Sequence, residues 1–456
     1  MSTVQLARKG WLDRMLGLVT EVRPGEAPTS LLLTLNVFLL LSAYYIIKPI
    51  REALILAEGS AELKSYLGAV QAALFLFIVP AYGAFASRVN RIRLINGVSL
   101  FFISNLILFY FADRMGASLG VPFFLWAGIF NLMVIAQFWS FANDLYTEEQ
   151  GKRLFAIVGI GSTVGAVAGS QMAGVLVKEI GLFQMMLVSA GLLCVCVGLS
   201  NWIHYRERNF SREASRRRQA EAPLARDGGF QLVIRQRYLL YIGLLTLIVN
   251  LVNTNGEYIL GKTFDQVAEA AVANGTSGGL SQRELIGSYY ANFQFWQNLI
   301  GALMQLFLVS RVIKYLGVRA ALFVLPLISL GGYTILATAP ILAYIRLAKI
   351  LENSTDYSLQ NTVRHALFLP TSREAKYKAK QAVDTFFWRA GDMLSGISVF
   401  VAAGLLSLGI ARFALLNVAL VATWLFLAAG IAREHRKLSA EAPSEAGHPS
   451  TLGTST

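Results

Sequence analysis

The sequence predicts an all-α polytopic membrane protein, with about twelve transmembrane helices arranged as two pseudo-repeated six-helix bundles. Composition is the first observation behind this. Of 456 residues, 55% are hydrophobic and 15% charged, and the mean hydropathy is +0.53, far from an ordinary soluble domain. The second is the recurrence of apolar stretches of about 20 residues, enough to cross a hydrocarbon core of roughly 30 Å. The third is where the basic residues fall. With both termini inside, 29 of the 40 Lys and Arg lie on the inner side and five lie outside: Lys64, Arg114, Lys178, Arg283 and Arg412. That bias supports both the orientation and an even number of crossings.

Segment 1–28 is polar and basic and ends in Pro24 and Pro28. It reads as an inner N-terminal segment without a cleavable signal. Crossings are expected near 29–57, 63–86, 94–112, 121–146, 154–177 and 182–205, forming an N-terminal bundle over 29–205. Residues 206–237 carry nine Arg, including Arg216-Arg217-Arg218, and read as a basic inner linker whose charges anchor topology. Six more crossings, near 238–262, 286–309, 320–338, 340–369, 381–407 and 412–431, form a C-terminal bundle over 238–431. The Gly- and Ala-rich stretch 265–283 reads as a flexible outer loop, and 432–456 as a disordered tail. Duplication is supported by Ser87-Arg88-Val89 recurring as Ser310-Arg311-Val312, and by Thr147 through Gly151-Lys152 recurring as Thr371 through Ala375-Lys376. The offsets are 223 and 224 residues.

Several function classes drop out. The net charge of +13 is accounted for by the inside bias, so no nucleic-acid partner is implied. Cys194 and Cys196 diverge by about 200 degrees on a helix and read as packing residues. Four histidines show no metal-ligand spacing, and Gly159 to Thr163 is not a phosphate loop because no Gly-Lys-Ser/Thr follows. No cofactor, hydrolase triad or soluble ATPase domain is implied, so any transport would run on gradients.

The polar content of the crossings is more informative. Six cations, Lys48, Arg51, Lys262, Arg346, Lys349 and Arg389, lie within spans, with acids including Glu52, Asp144, Glu257, Glu352, Asp356, Asp384 and Asp392. Spacings of three and four put Arg346, Lys349, Asn353 and Asp356 on one stripe of a helix expected to run unbroken from Pro340 to Pro370. Ionisable groups at such depth are costly and are expected to face a water-filled cavity. Local pairs are expected between Arg51 or Lys48 and Glu52, Lys349 and Glu352, and Arg389 and Asp392. A polyphosphate would need cations from both halves, and this set supplies them. Tyr44, Tyr45, Tyr290, Phe293 and Trp296 could stack a base, although packing explains each one singly. Gln294, Asn298 and Gln305 form a polar face for a cavity wall or interhelical hydrogen bonds, and Gly159, Gly161, Gly165 and Gly169 a face for close packing.

Two six-helix halves with basic inner loops resemble the major facilitator architecture. The stretch Gly83 to Arg93 resembles its loop motif, with Ser87 where an Asp is usual. More specific runs are Ile46-Ile47-Lys48-Pro49-Ile50-Arg51-Glu52, then Phe138 to Asp144 leading into Gly151-Lys152-Arg153-Leu154-Phe155 and the glycine series. Tyr357-Ser358-Leu359 continuing to Leu369-Pro370, and Lys376-x-Lys378-x-Lys380-Gln381-Ala382-Val383-Asp384, follow in the second half. Together these resemble the nucleotide (ATP/ADP) translocase family, related to the major facilitator superfamily. The resemblance implies that Arg51 stands at a first-helix Lys, Asp144 at a fourth-helix acid, Glu257 at a seventh-helix acid, and Lys378 or Lys380 at a second-half Lys. It also implies an ATP:ADP antiporter, not an enzyme, in a bacterial inner membrane with cytoplasmic termini. The partners would be membrane lipid and an anionic, nucleotide-like solute, moved by alternating access. The candidate binding residues are therefore Lys48, Arg51, Glu52, Asp144, Glu257, Lys262, Arg346, Lys349, Asn353, Asp356, Lys378, Lys380 and Arg389. A carrier of another organic anion, a proton-coupled antiporter using Asp144, Glu257 or Asp384, and a non-transporting scaffold remain as alternatives. Oligomeric state is left open.

Overall fold

In the computed structural model, residues 20–23, 26–86, 89–207, 229–372 and 375–441 are described. Most of segment 1–28, Ser87-Arg88, linker residues 208–228 and the tail from 442 lie outside them. Six long helices precede the linker: α1 (Ala27–Glu58), α2 (Ala61–Ala86), α3 (Arg91–Arg114), α4 (Gly120–Leu145), α5 (Glu148–Glu179) and α6 (Gln184–Arg206). After a short helix, Gly229–Arg235, come α7 (Arg237–Ala273), α8 (Gln282–Ala321), α9 (Val324–Thr338), α10 (Leu342–Ala366), α11 (Ala375–Leu405) and α12 (Ile410–Glu441). Nine of these are long and apolar enough to cross a membrane by length and composition. Helix α9 is a shorter apolar helix, and α10 and α11 are interrupted.

Local chemistry sets many of the ends. Thr147 and Gln150 form a capping box at the start of α5, and Ser281 with Glu284 does the same for α8. Pro340 falls in the break between α9 and α10, where no helix could continue through it. Within each half the packing follows the glycines. A Cβ on Gly161, Gly165 or Gly169 would lie 2.5, 2.5 and 2.6 Å from atoms of Thr34, Phe38 and Ser42, so α5 rides on the α1 backbone through the expected small-residue face. Gly159, at the open end of that series, has nothing within 4 Å.

Four expectations about boundaries change. Helix α7 runs on to Ala273 because Ala268 and Phe264 are buried and Ala270, Ala271 and Ala273 favour helix, leaving only 274–281 as the loop before α8. Helix α8 continues past 309 through Ser310-Arg311-Val312, and its last turns break at Gly317, with φ +75°. Helix α12 continues to Glu441, so residues 432–441 are helical and not part of a disordered tail. The unbroken Pro340–Pro370 helix is instead interrupted by a π-helical segment at Asp356–Gln360. Further π segments occur in α8 at Met304–Leu308 and in α11 at Ala375–Ala379, Val383–Phe387 and Phe400–Leu405.

The halves meet through α1 and α5 against α8, and through α2 against α7 and α11. One end of the bundle holds the start of α1, the end of α6, the start of α7 and the end of α12. Thr29 donates to Glu207 there at 2.6 Å, and the Tyr238 and His435 rings lie 6.3 Å apart. This is the terminal end, and the opposite one is the distal end. Ion pairs bind the halves together distally: Lys262 to Glu62 at 2.6 Å, and Arg283 to Glu58 at 3.3 Å and to Asp113 at 3.9 Å.

Candidate binding cavity

Helical periodicity brings polar faces from both halves to one place. On α1, Tyr44, Lys48, Arg51 and Glu52 are spaced by four, three and one. On α8, Tyr290, Phe293, Gln294 and Gln297 share a face, as do Asn253, Thr254, Glu257 and Tyr258 on α7. These faces, with Lys64, Ser65 and Gly68 of α2, Phe124 of α4 and Asn353 and Tyr357 of α10, line a cavity of about 270 Å³. Pro49 leaves the Tyr45 carbonyl without its helical donor beside the two α1 cations.

Three cations face this space. Lys64 pairs with Glu52 at 2.6 Å, and its ammonium also donates to the Tyr290 hydroxyl at 3.3 Å. Arg51 is hydrogen-bonded to the same Glu52 carboxylate and lies 5.2 Å from the Phe124 ring centroid. Among the described residues Lys48 has no ion-pair partner, and its ammonium lies 5.5 Å from the Tyr45 ring centroid. Glu257, the second acid on the wall, accepts from Asn353 Nδ2 at 2.9 Å. Three cations against two acids leave the lining cationic by one charge.

Of the thirteen candidates from the sequence, Lys48, Arg51, Glu52, Glu257 and Asn353 line the cavity. Lys349 sits behind the α7 wall, 1% exposed, held by Glu352 at 2.8 Å and by Asn253 Oδ1 at 2.7 Å, with Glu257 at 3.7 Å. Arg346 reaches sideways to Asn292 of α8. Asp356 is buried at the start of the π segment, and Tyr357, four residues after Asn353 and on its face, joins it at the cavity. Lys262 closes the distal end with Glu62 and Tyr258. Asp144 pairs with Arg91 at 3.1 Å at the terminal end of α4. Lys380 pairs with Asp384 at 2.9 Å, and Lys378 lies two residues earlier, both near the terminal end of α11. Arg389 pairs with Asp392 at 3.2 Å and stacks 4.7 Å from the Phe75 ring centroid. The single stripe of α10 is thus divided among a cavity wall, a dry pair and an interhelical bond.

Among the aromatic candidates, Tyr44, Tyr290 and Phe293 reach the cavity, whereas Tyr45 packs on Tyr44, and Trp296 is 42% exposed. Asn298 donates to Ala166 O at 3.2 Å across the halves. Sequence reasoning missed Lys64, counted as an outer-loop cation, and Asn253, Thr254 and Gln297. The available signal for Lys64 was its place in the first turn of α2, from which a long flexible stem can reach toward Glu52.

A family model described as TLC ATP/ADP transporter matches residues 123–435. ADP,ATP carrier protein 1 of Chlamydia muridarum is 24% identical over 367 residues, covering 69% of this chain and 66% of that one, just under two thirds of its length. ADP,ATP carrier protein 5 of Rickettsia bellii is 23% identical over 430 residues, covering 79% of this chain and 83% of that one. Among solved structures, the nucleoside transporter NupG superposes with a TM-score of 0.59 at 12% identity, covering 90% of this chain and 99% of that one. An auto-inhibited POT family peptide transporter gives a TM-score of 0.61 at 12% identity, covering 91% and 97%. These two similarities speak for the fold alone.

Proposed function

The chain belongs to the TLC ATP/ADP transporter family, and from that premise we propose that this integral multi-pass membrane protein is a nucleotide carrier of the ATP/ADP exchange type. The observation that carries the proposal is the convergence of Lys48, Arg51 and Lys64 on one cavity between the halves, beside aromatic faces. Phosphate groups favour such a site, because several charge-assisted hydrogen bonds can replace their hydration. Glu52 bridges Arg51 and Lys64, so it keeps two like charges together where a phosphate would compete for them.

The moving bodies in this reading are the bundles 29–205 and 238–431, joined by the basic segment 206–237. Closure at the distal end by Lys262–Glu62 and Arg283–Glu58 gives substrate its access from the terminal end, and turnover requires those pairs to separate. The basic bias supports cytoplasmic termini in a bacterial inner membrane. Glu257 on the cavity wall favours one second reading, a proton-coupled antiporter. The test is uptake of labelled ATP and ADP into proteoliposomes with and without internal nucleotide. Uptake that depends on internal ATP or ADP supports exchange, uptake driven by a pH gradient alone supports the second reading, and no nucleotide uptake refutes both.

A further inference from the structure

Away from the cations, one wall of the cavity is built of amides: Gln294 and Gln297 of α8 and Asn353 of α10, which are 1%, 1% and 4% exposed. Their orientation follows from Glu257. An ionised carboxylate only accepts, so Asn353 must turn its Nδ2 toward it, at 2.9 Å. The same Nδ2 donates to Gln297 Oε1 at 3.1 Å, which fixes the second amide as well. Asn353 Oδ1 is left as an acceptor and Gln297 Nε2 as a donor, both buried without a partner among the described residues, and neither amide atom of Gln294 has one among them. Unmet buried polar atoms are rare in folded proteins, so four of them at one cavity wall mark a place that a ligand completes.

Resting on the nucleotide reading above, we propose that this amide wall reads the hydrogen-bonding edge of the nucleobase, while Lys48, Arg51 and Lys64 hold the phosphates. A nucleobase edge carries a donor and an acceptor side by side, the complement of Asn353 Oδ1 and Gln297 Nε2. Gln294, held by no neighbour, adapts to the edge presented. Phe293 and Tyr357 offer faces on which the ring can stack.

The experiment is competition against labelled ATP uptake in proteoliposomes, with unlabelled ATP and ribose 5-triphosphate, which lacks a base, as competitors. Wild-type protein should prefer ATP by about 10-fold or more, since losing the base leaves the buried amides unpaired. The variants Q297M and Q294M keep side-chain volume and remove the amide, and each should narrow that gap to within about 3-fold while the protein still elutes as a folded species. Two variants are used so that poor folding of one does not decide the matter. Equal competition by the two compounds in wild type, or an undiminished gap in the folded variants, overturns the base-reading wall while leaving nucleotide transport standing. Absence of any ATP uptake by wild type overturns the underlying reading and this one with it.

Discussion

Replacing Lys349 with Met tests whether this lysine belongs to the substrate or to the framework. Lys349 and Glu352 form a 2.8 Å pair with side chains 1% and 5% exposed, so K349M strands a carboxylate in a dry setting. Breaking one side of a buried pair costs about 3 to 5 kcal/mol. Glu352 still accepts from the Tyr333 hydroxyl at 2.9 Å and from Ser329 at 3.2 Å, which places the expected loss near the lower bound, about 3 kcal/mol. Asn253, whose side chain and carbonyl both receive the Lys349 ammonium, loses a donor as well. The double variant K349M/E352Q removes both charges and retains an acceptor for Tyr333, so most of the loss should return, with a coupling of about 2 kcal/mol or more. Thermal melting of the detergent-purified protein, followed by fluorescence, reads this as a drop of several degrees for K349M and near recovery in the double variant. Nucleotide affinity of the surviving folded K349M should stay within about 3-fold of wild type, since no direct phosphate contact is lost. Wild-type melting combined with a 10-fold or greater loss of ATP affinity would refute the reasoning and return Lys349 to the binding site.

Lys48→Gln should weaken ATP binding by about 10- to 150-fold, the worth of a charge-assisted contact, without lowering protein level, because no acid is left unpaired; competition assays and immunoblots read the two. Arg51→Lys should retain part of the affinity lost in Arg51→Gln, since charge survives and only the planar fork is lost. Glu62→Gln weakens the distal closure by removing the 2.6 Å contact with Lys262, so a cysteine replacing Ser65 should react faster with a membrane-impermeant thiol reagent applied from the distal side. An unchanged labelling rate would count against that pair as part of the gate. Gly165→Ala puts a Cβ 2.5 Å from the Phe38 carbonyl oxygen and should cost about 1 to 3 kcal/mol in melting experiments, whereas Gly159→Ala, with open space around it, should be nearly neutral.

What the sequence made legible follows how far each feature depends on tertiary placement. The pairs Lys349–Glu352 and Arg389–Asp392 were readable because residues three apart on one helix meet wherever that helix goes, whereas the adjacent Arg51 and Glu52 diverge by about 100 degrees and are joined only by the reach of the Arg51 side chain. The glycine face was readable for a similar reason, since small residues four apart leave one side of α5 bare whatever covers it. Membership of the cavity was harder, because it depends on how each helix is rotated about its axis. Spacing put Arg346, Lys349, Asn353 and Asp356 on one face, yet that face is wide enough to touch α7, α8 and open space at once. A π segment follows at Asp356–Gln360, and nothing in that sequence announces it. Lys64 shows the same limit from the other direction. Its charge was counted toward topology, but its flexible stem carries the ammonium back to Glu52, and only the packing of α2 against α1, α7 and α11 decides that it lands there. Charge identity and spacing therefore nominate the groups that must be satisfied inside the membrane. Which of them satisfy each other, and which are left for a ligand, is settled by helix rotation, and that is why Lys48, with no carboxylate partner among the described residues, is a sharper candidate than the better-paired Lys349.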